Sequence, residues 1–60
     1  MTGDEMRRIR TQLLKLTQKQ LGEQLGVAEN TVARYERGEL NINEPVARLT
    51  RTIAAAARKK

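Results

Sequence analysis

The sequence predicts a small all-α protein, a compact bundle of four or five short helices. Apolar residues recur at intervals of three and four along the whole chain, which is the helical period. Polar residues suited to helix starts and glycines suited to helix ends divide the chain into four segments. The 60 residues allow one domain with one small core. Because Tyr35 is the single aromatic residue, that core must be mainly aliphatic.

The first helix is predicted over residues 3–14 from its start signal and its apolar stripe. Thr2 and Glu5 have the spacing of a capping box, in which each side chain accepts a hydrogen bond from the other's backbone. Met6, Ile9 and Leu13 then recur with helical spacing. We therefore expect these three side chains to face the core.

A second capping box, Thr17 with Gln20, predicts the start of helix 2. Gly26 is expected to end this helix in the left-handed conformation, which glycine adopts without strain. Leu21 and Leu25 are expected to face inward. Gly22 would allow another helix to approach closely, although glycine costs about 1 kcal/mol of helix propensity relative to alanine.

Helix 3 is predicted over residues 28–37, with Gly38 ending it. Ala28 stands at its start and has no oxygen that could cap the helix. Val32 and Tyr35 share one face and are expected to be buried, whereas the opposite face carries polar and charged residues.

A polar loop over residues 41–44 precedes helix 4, and Pro45 suits the first turn of that helix. Val46, Leu49 and Ile53 are predicted to form its buried stripe, which Ala56 or Ala57 continues. We expect residues 1–57 to form the domain and residues 58–60 a basic C-terminal tail.

The composition excludes several classes of function. The chain lacks cysteine, histidine and serine, and no nucleophile stands beside a base, so we expect no enzyme activity, metal site or cofactor. No apolar run could span a membrane, no small-molecule ligand is evident, and a cytoplasmic protein is expected. The net charge of +5 favours a polyanionic partner such as nucleic acid, although it also fits a solvated cationic surface.

Helices 2 and 3 are short and joined by a few residues around Gly26, which predicts a helix-turn-helix. In that motif the second helix fits a DNA major groove about 12 Å wide. The first helix crosses the DNA backbone and directs its N-terminal amides at a phosphate.

The segment LTQKQLGEQLGVAENTVARYERGELNI resembles the helix-turn-helix of the phage Cro/repressor (XRE-like) family. DEMRRIR and INEPVARL resemble the first and fourth helices of that family. The resemblance implies a lambda-repressor-like bundle that binds double-stranded DNA and regulates transcription as a repressor. The positions that match the family pattern are Leu16, Thr17, Gln18, Leu21, Leu25, Gly26, Val27, Thr31, Val32, Tyr35, Glu36 and Gly38.

The chain departs from the family pattern at three places. Gly22 replaces a small alanine, Ala28 replaces a serine or threonine cap, and one extra residue stands between Arg10 and Leu16. The resemblance also implies structural roles for Gly26 and Gly38 and for an ion pair between Arg10 and Glu36, whose geometry depends on how the extra residue is accommodated.

By resemblance, the base-reading residues are Glu29, Asn30 and Arg34, with Ala33 against a thymine methyl group. Arginine can bind guanine O6 and N7, asparagine can pair with adenine, and glutamate can accept from cytosine N4. Structural alternatives remain for each residue. Glu29 also suits the dipole of an uncapped helix, and Asn30 also suits an ordinary surface position. Arg34 could instead pair with Asn30 or with an acid on its own helix.

A second group is expected to contact phosphates, which contributes affinity without sequence information. Its members are Thr17, Gln18 and Lys19 at the start of helix 2 and Thr31, Arg37, Asn41 and Asn43 on the other side of helix 3. The basic tail could also touch DNA, but a solvated terminus is the simpler expectation.

We expect a weak homodimer, or a monomer that pairs on DNA, through the outer side of helix 4. That side carries Arg48, Arg51 and Thr52 and is too polar for a tight dimer. The alternative function is a protein-binding adaptor or antitoxin-type module with the same fold. The polar outer face of helix 3 is evidence against that alternative, since it contains no apolar patch.

Overall fold

The computed structural model describes residues 1–58, and these residues form helices joined by short turns, with no strand among them. The elements are α1 (Gly3–Arg8), a π-helical segment (Ile9–Leu14), α2 (Gln18–Leu25), α3 (Glu29–Arg37) and α4 (Glu44–Arg58). The all-α prediction is confirmed. Arg58, predicted to begin the tail, lies in the last turn of α4, and Lys59 and Lys60 lie outside the described residues.

The predicted helix boundaries are determined by the caps that the sequence indicates. Thr2 Oγ1 accepts the Glu5 amide at 3.1 Å, and Thr17 Oγ1 accepts the Gln20 amide at 3.1 Å, so both capping boxes are present. Gly26 ends α2 and Gly38 ends α3, both with positive φ. These local signals are therefore sufficient to define the helix-turn-helix.

The helix predicted over residues 3–14 is present over that range, but its second half is not α-helical. After Arg8 the chain continues as a π-helix to Leu14, and Lys15 follows with a φ of 55°. A π-helical hydrogen bond joins residues five positions apart, whereas an α-helical one joins residues four apart, so each hydrogen-bonded π-helical turn encloses one residue more. The π-helical segment thus takes up the extra residue between Arg10 and Leu16, and the Leu16 amide donates to the Arg10 carbonyl at 3.0 Å.

The changed helical period also alters which side chains of the first helix face the core. Met6 is fully buried as predicted, but Ile9 and Leu13 are half-buried. Leu14 packs against the core cluster in their place. The buried residues of that cluster are Met6, Leu21, Val32, Tyr35, Ile42 and Ala47.

The predicted stripe of α4 is correct only in part: Val46 and Ile53 are half-buried, and Val46 packs against the core cluster. The buried residues of this helix are Ala47, Thr50 and Ala54, whereas Leu49 is 40% exposed. Small side chains allow α4 to approach the core closely, and the Thr50 hydroxyl is satisfied by donating to the Val46 carbonyl at 2.8 Å. The largest apolar residues are therefore not the ones that mark the buried face.

Two glycines permit close backbone approaches that no larger residue would allow. A Cβ on Gly22 would lie 2.7 Å from the Val27 carbonyl, so the approach predicted there is made by the turn between α2 and α3. A Cβ on Gly3 would lie 2.7 Å from the Glu36 carbonyl and would overlap that of Tyr35 as well. Gly3 thereby lets the start of α1 contact the end of α3.

Candidate nucleic-acid interface

The turn between α2 and α3 leaves one face of α3 uncovered. The Val27 amide donates to the Gly22 carbonyl at 2.9 Å and fixes the turn, and α3 also packs against α1. Val32, Tyr35 and Glu36 are buried by these contacts. The opposite face exposes Glu29, Asn30, Arg34 and Arg37, with Ala33 and Thr31 half-buried at its margins.

The N-terminus of α3 has no side-chain cap. Ala28 is exposed and extended, with a φ of −72° and a ψ of 155°, and no side chain accepts a hydrogen bond from the first turn. Glu29 is the acidic residue of that turn and stabilises the positive end of the helix dipole. The first turn therefore combines free amide donors with the exposed side chains of Glu29 and Asn30.

A buried carboxylate connects α3 to the two preceding helical regions. The Glu36 side chain is 0% exposed. Arg10 donates through Nε to Oε2 at 2.6 Å and through Nη2 to Oε1 at 3.1 Å. Gln18 Nε2 also donates to Oε1 at 3.0 Å, and Arg7 Nε lies 3.5 Å from it. The ion pair implied by the family resemblance is thus present despite the extra residue.

The charge state of Glu36 follows from these contacts. Burial alone would raise the pKa of the Glu36 carboxyl, but the hydrogen bonds from Arg10 and Gln18, with the positive charges of Arg10 and Arg7, hold it below its ordinary value. The remaining guanidinium donor Nη1 of Arg10 binds the Leu16 carbonyl at 3.0 Å. In the Glu36 cluster, defined as Glu36 with Arg7, Arg10 and Gln18, both oxygens of Glu36 therefore accept hydrogen bonds, and the carboxylate is ionised at neutral pH.

The start of α2 presents three polar side chains beside free backbone amides. Thr17 Oγ1 accepts a hydrogen bond in its capping box, which leaves its hydroxyl hydrogen available as a donor. Gln18 is oriented by Glu36, and its amide nitrogen has a second hydrogen. Lys19 is exposed. The structure therefore brings the predicted residues Thr17, Gln18 and Lys19 to one helix end.

The two asparagines beyond α3 differ in their environment. Asn43 Oδ1 accepts the Val46 amide at 3.2 Å and caps α4, a structural role that the sequence interpretation missed. Its spacing before Pro45 is the signal that could have indicated it. Asn41 is exposed. The amide nitrogen of Asn43 is not used by the cap and can still donate.

A second carboxylate, Glu39, was not among the predicted site residues. Its Oε2 accepts from Arg37 Nε at 2.8 Å and its Oε1 from Arg37 Nη2 at 3.3 Å. Arg34 Nε lies 3.9 Å from Oε1. The acid that pairs with Arg34 is therefore beyond α3 and not on it. The hydrogen bonds with Arg37 lower the pKa of Glu39 and raise that of Arg37.

Within residues 1–58 no cluster of acidic side chains could hold a metal ion. In the same part of the chain, every helix is too short or too polar to cross a membrane.

These helices and their exposed polar face define a helix-turn-helix domain. The family model described as helix-turn-helix matches residues 6–49, so the chain belongs to this family, of the Cro/C1 (XRE-like) type. The family consists of DNA-binding regulatory domains and is not an enzyme family. Its members bind double-stranded DNA. Searches of the curated proteins and of the solved structures found no match.

Proposed function

We propose that this protein is a transcriptional repressor that reads its operator in the major groove with α3. The observation that supports this most is the division of α3 into two faces. One face is buried against α1 and α2, and the other exposes polar side chains along the helix. A helix with that geometry fits the major groove. A cytoplasmic location would accompany this role.

Base recognition is assigned to the exposed residues of α3. Arg34 would bind guanine through O6 and N7, Asn30 would pair with adenine, and Glu29 would accept from cytosine N4. Ala33, which is half-buried, would offer only its methyl group to a thymine. Arg34 is half-exposed and held only loosely by Glu39, so it is free to reach a base edge.

Phosphate contacts are assigned to the two flanks of α3. On one side, Thr17, Gln18 and Lys19 would hold a phosphate at the start of α2, where the helix dipole favours an anion. On the other side, Thr31, Arg37, Asn41 and Asn43 would contact the opposite strand. Gln18 has a special position among them, because Glu36 fixes its amide group before DNA arrives.

We also propose a weak homodimer that forms on DNA. One α3 reads only a few base pairs, and a two-fold dimer would place two such helices about 34 Å apart on one side of the duplex. The outer side of α4 is the proposed interface. Leu49 is exposed there beside Pro45, Arg48 and Thr52. This small apolar surface within a charged surround favours weak association.

Selection of bound duplexes from a random-sequence pool would test this function, followed by affinity measurements over a range of salt. We expect the selected duplexes to contain two related half-sites. If ~4 phosphates are contacted per monomer, each contact should contribute about −0.9 to the slope of log K against log salt. Lys19→Ala should weaken binding to all sequences alike and make the slope shallower by about one unit. A slope near zero, or the absence of any complex at moderate salt, would favour the protein-binding alternative.

A further inference from the structure

We propose that Glu39 attenuates DNA binding by holding Arg37 in the free protein, so that a phosphate must displace the carboxylate before Arg37 can contact DNA. The inference rests on the proposed function of α3. In this proposal Glu39, which follows α3, limits the affinity for DNA. The helix-turn-helix motif itself does not require such a role.

The position of Glu39 is determined by the end of α3. Gly38 adopts a φ of 79° and reverses the chain, and the Glu39 and Leu40 amides then donate to the Arg34 carbonyl at 3.0 and 3.3 Å. These bonds return residue 39 to the last turn of α3. The carboxylate therefore lies beside the two arginines of that turn, Arg34 and Arg37.

The two arginines are held differently. Arg37 has two hydrogen bonds to Glu39, with both carboxylate oxygens engaged, whereas Arg34 has one distant charge contact of 3.9 Å. A paired, planar guanidinium matches a phosphate as well as it matches a carboxylate. Glu39 and a DNA phosphate therefore compete for the same donors of Arg37.

Because the Arg37–Glu39 ion pair is exposed, a phosphate can replace the carboxylate. The side chains of Arg37 and Glu39 are 53% and 52% exposed, so neither is locked by packing. After the exchange, Glu39 would stand close to a phosphate of like charge. Because phosphates are the same in every sequence, the resulting loss of affinity is expected to be equal for the operator and for any other duplex.

The test is Glu39→Gln, measured on a selected site and on random duplex. Glu44→Gln is the matched control, since Glu44 is also exposed, is also paired with an arginine, Arg51, and its removal changes the net charge equally. At about 0.1 M salt we expect Glu39→Gln to raise both affinities by about two- to threefold more than Glu44→Gln does, because the exposed ion pair with Arg37 no longer has to be broken. The salt slope should be nearly unchanged, since Arg37 contacts the same phosphate in both proteins. A gain no larger than that of Glu44→Gln would overturn the proposal. So would a loss confined to the selected site, because it would make Glu39 a support for Arg34.

Arg37→Gln completes a double-mutant cycle with Glu39→Gln. In the Arg37→Gln protein, adding Glu39→Gln should raise the affinity for DNA by no more than the Glu44→Gln control does. If the full gain persists there, Glu39 acts by simple repulsion of phosphates and Arg37 is not the group that it holds.

A measurement without DNA separates this proposal from the proposed function. In an NMR titration of the free protein, Arg37→Gln should raise the pKa of the Glu39 carboxyl toward its ordinary value. An unchanged pKa would show that the pair is absent and would overturn the attenuation. If the pair is present but the wild-type protein binds no duplex, the proposed function fails instead.

Discussion

Glu36 and Glu39 lie three positions apart near the end of α3, and each is surrounded by arginines, yet their environments are opposite. The Glu36 side chain is completely buried, with its oxygens bound by Arg10 and Gln18. The Glu39 side chain is half-exposed and is bound by Arg37. The same chemical pairing therefore occurs once inside the fold and once on the surface that is proposed to face DNA.

The difference shows how burial decides the role of an ion pair. A buried carboxylate that loses its partners leaves an uncompensated charge, so such a pair is costly to break. An exposed pair contributes little to stability because water and salt solvate both ions. Glu36 should therefore stabilise the fold and orient Gln18, whereas Glu39 can exchange its arginine with a ligand.

The largest expected effect is on stability. Glu36→Gln should lower the free energy of unfolding by about 3 kcal/mol, because it removes the charge that compensates the partly buried Arg10. Glu39→Gln should change that free energy by less than about 0.5 kcal/mol. Urea denaturation of both variants measures the contrast, and similar losses in the two would contradict it.

The pH dependence of stability should sharpen the same contrast. The pKa of Glu36 is lowered in the folded protein, so its stabilisation is fully present above the unfolded pKa, about 4.3, and is lost as the pH falls through the folded value. The wild-type protein should therefore lose more stability below pH ~4.3 than Glu36→Gln does. Acid-limb denaturation curves that coincide for the two proteins would argue against an ionised, paired Glu36.

On the exposed face, Arg34→Lys should weaken binding to the selected site by about 1–3 kcal/mol, because lysine keeps the charge but lacks the planar fork that matches guanine. Affinity for random duplex should remain nearly unchanged. Paired binding titrations on the two duplexes measure this. Equal losses on both would make Arg34 a phosphate contact and shift base reading to Glu29 and Asn30.

A smaller gain in stability is expected at the uncapped start of α3. Ala28→Ser should raise the free energy of unfolding by about 1 kcal/mol, since Ala28 has the extended backbone of an N-cap residue but no acceptor oxygen. Chemical denaturation compares the two proteins, with Ala55→Ser on the exposed part of α4 as a control for the serine itself. No gain at residue 28 would mean that the first amides are already satisfied.

The features predicted correctly from the sequence are those with local causes. The capping boxes at Thr2 and Thr17 and the ends at Gly26 and Gly38 each depend on a few adjacent residues. They were sufficient to locate α2 and α3, and the family resemblance then supplied candidate roles for the residues on them.

The errors lie where tertiary contacts decide. The π-helical segment follows from the extra residue between Arg10 and Leu16. Both of these positions are fixed, because the Arg10 side chain binds Glu36 and the Leu16 carbonyl. The buried face of α4 consists of small residues, which an apolar stripe does not reveal. Glu39 was missed because its contacts arise only after Gly38 reverses the chain.

The central claim, that the exposed face of α3 binds duplex DNA, is tested most directly by NMR titration of isotopically labelled protein with a duplex that carries the selected site. We expect the largest amide shifts at the start of α2, at Gln18 and Lys19, and along α3 at Glu29, Asn30 and Arg34. Shifts confined to α4, or no shifts at all, would contradict the claim.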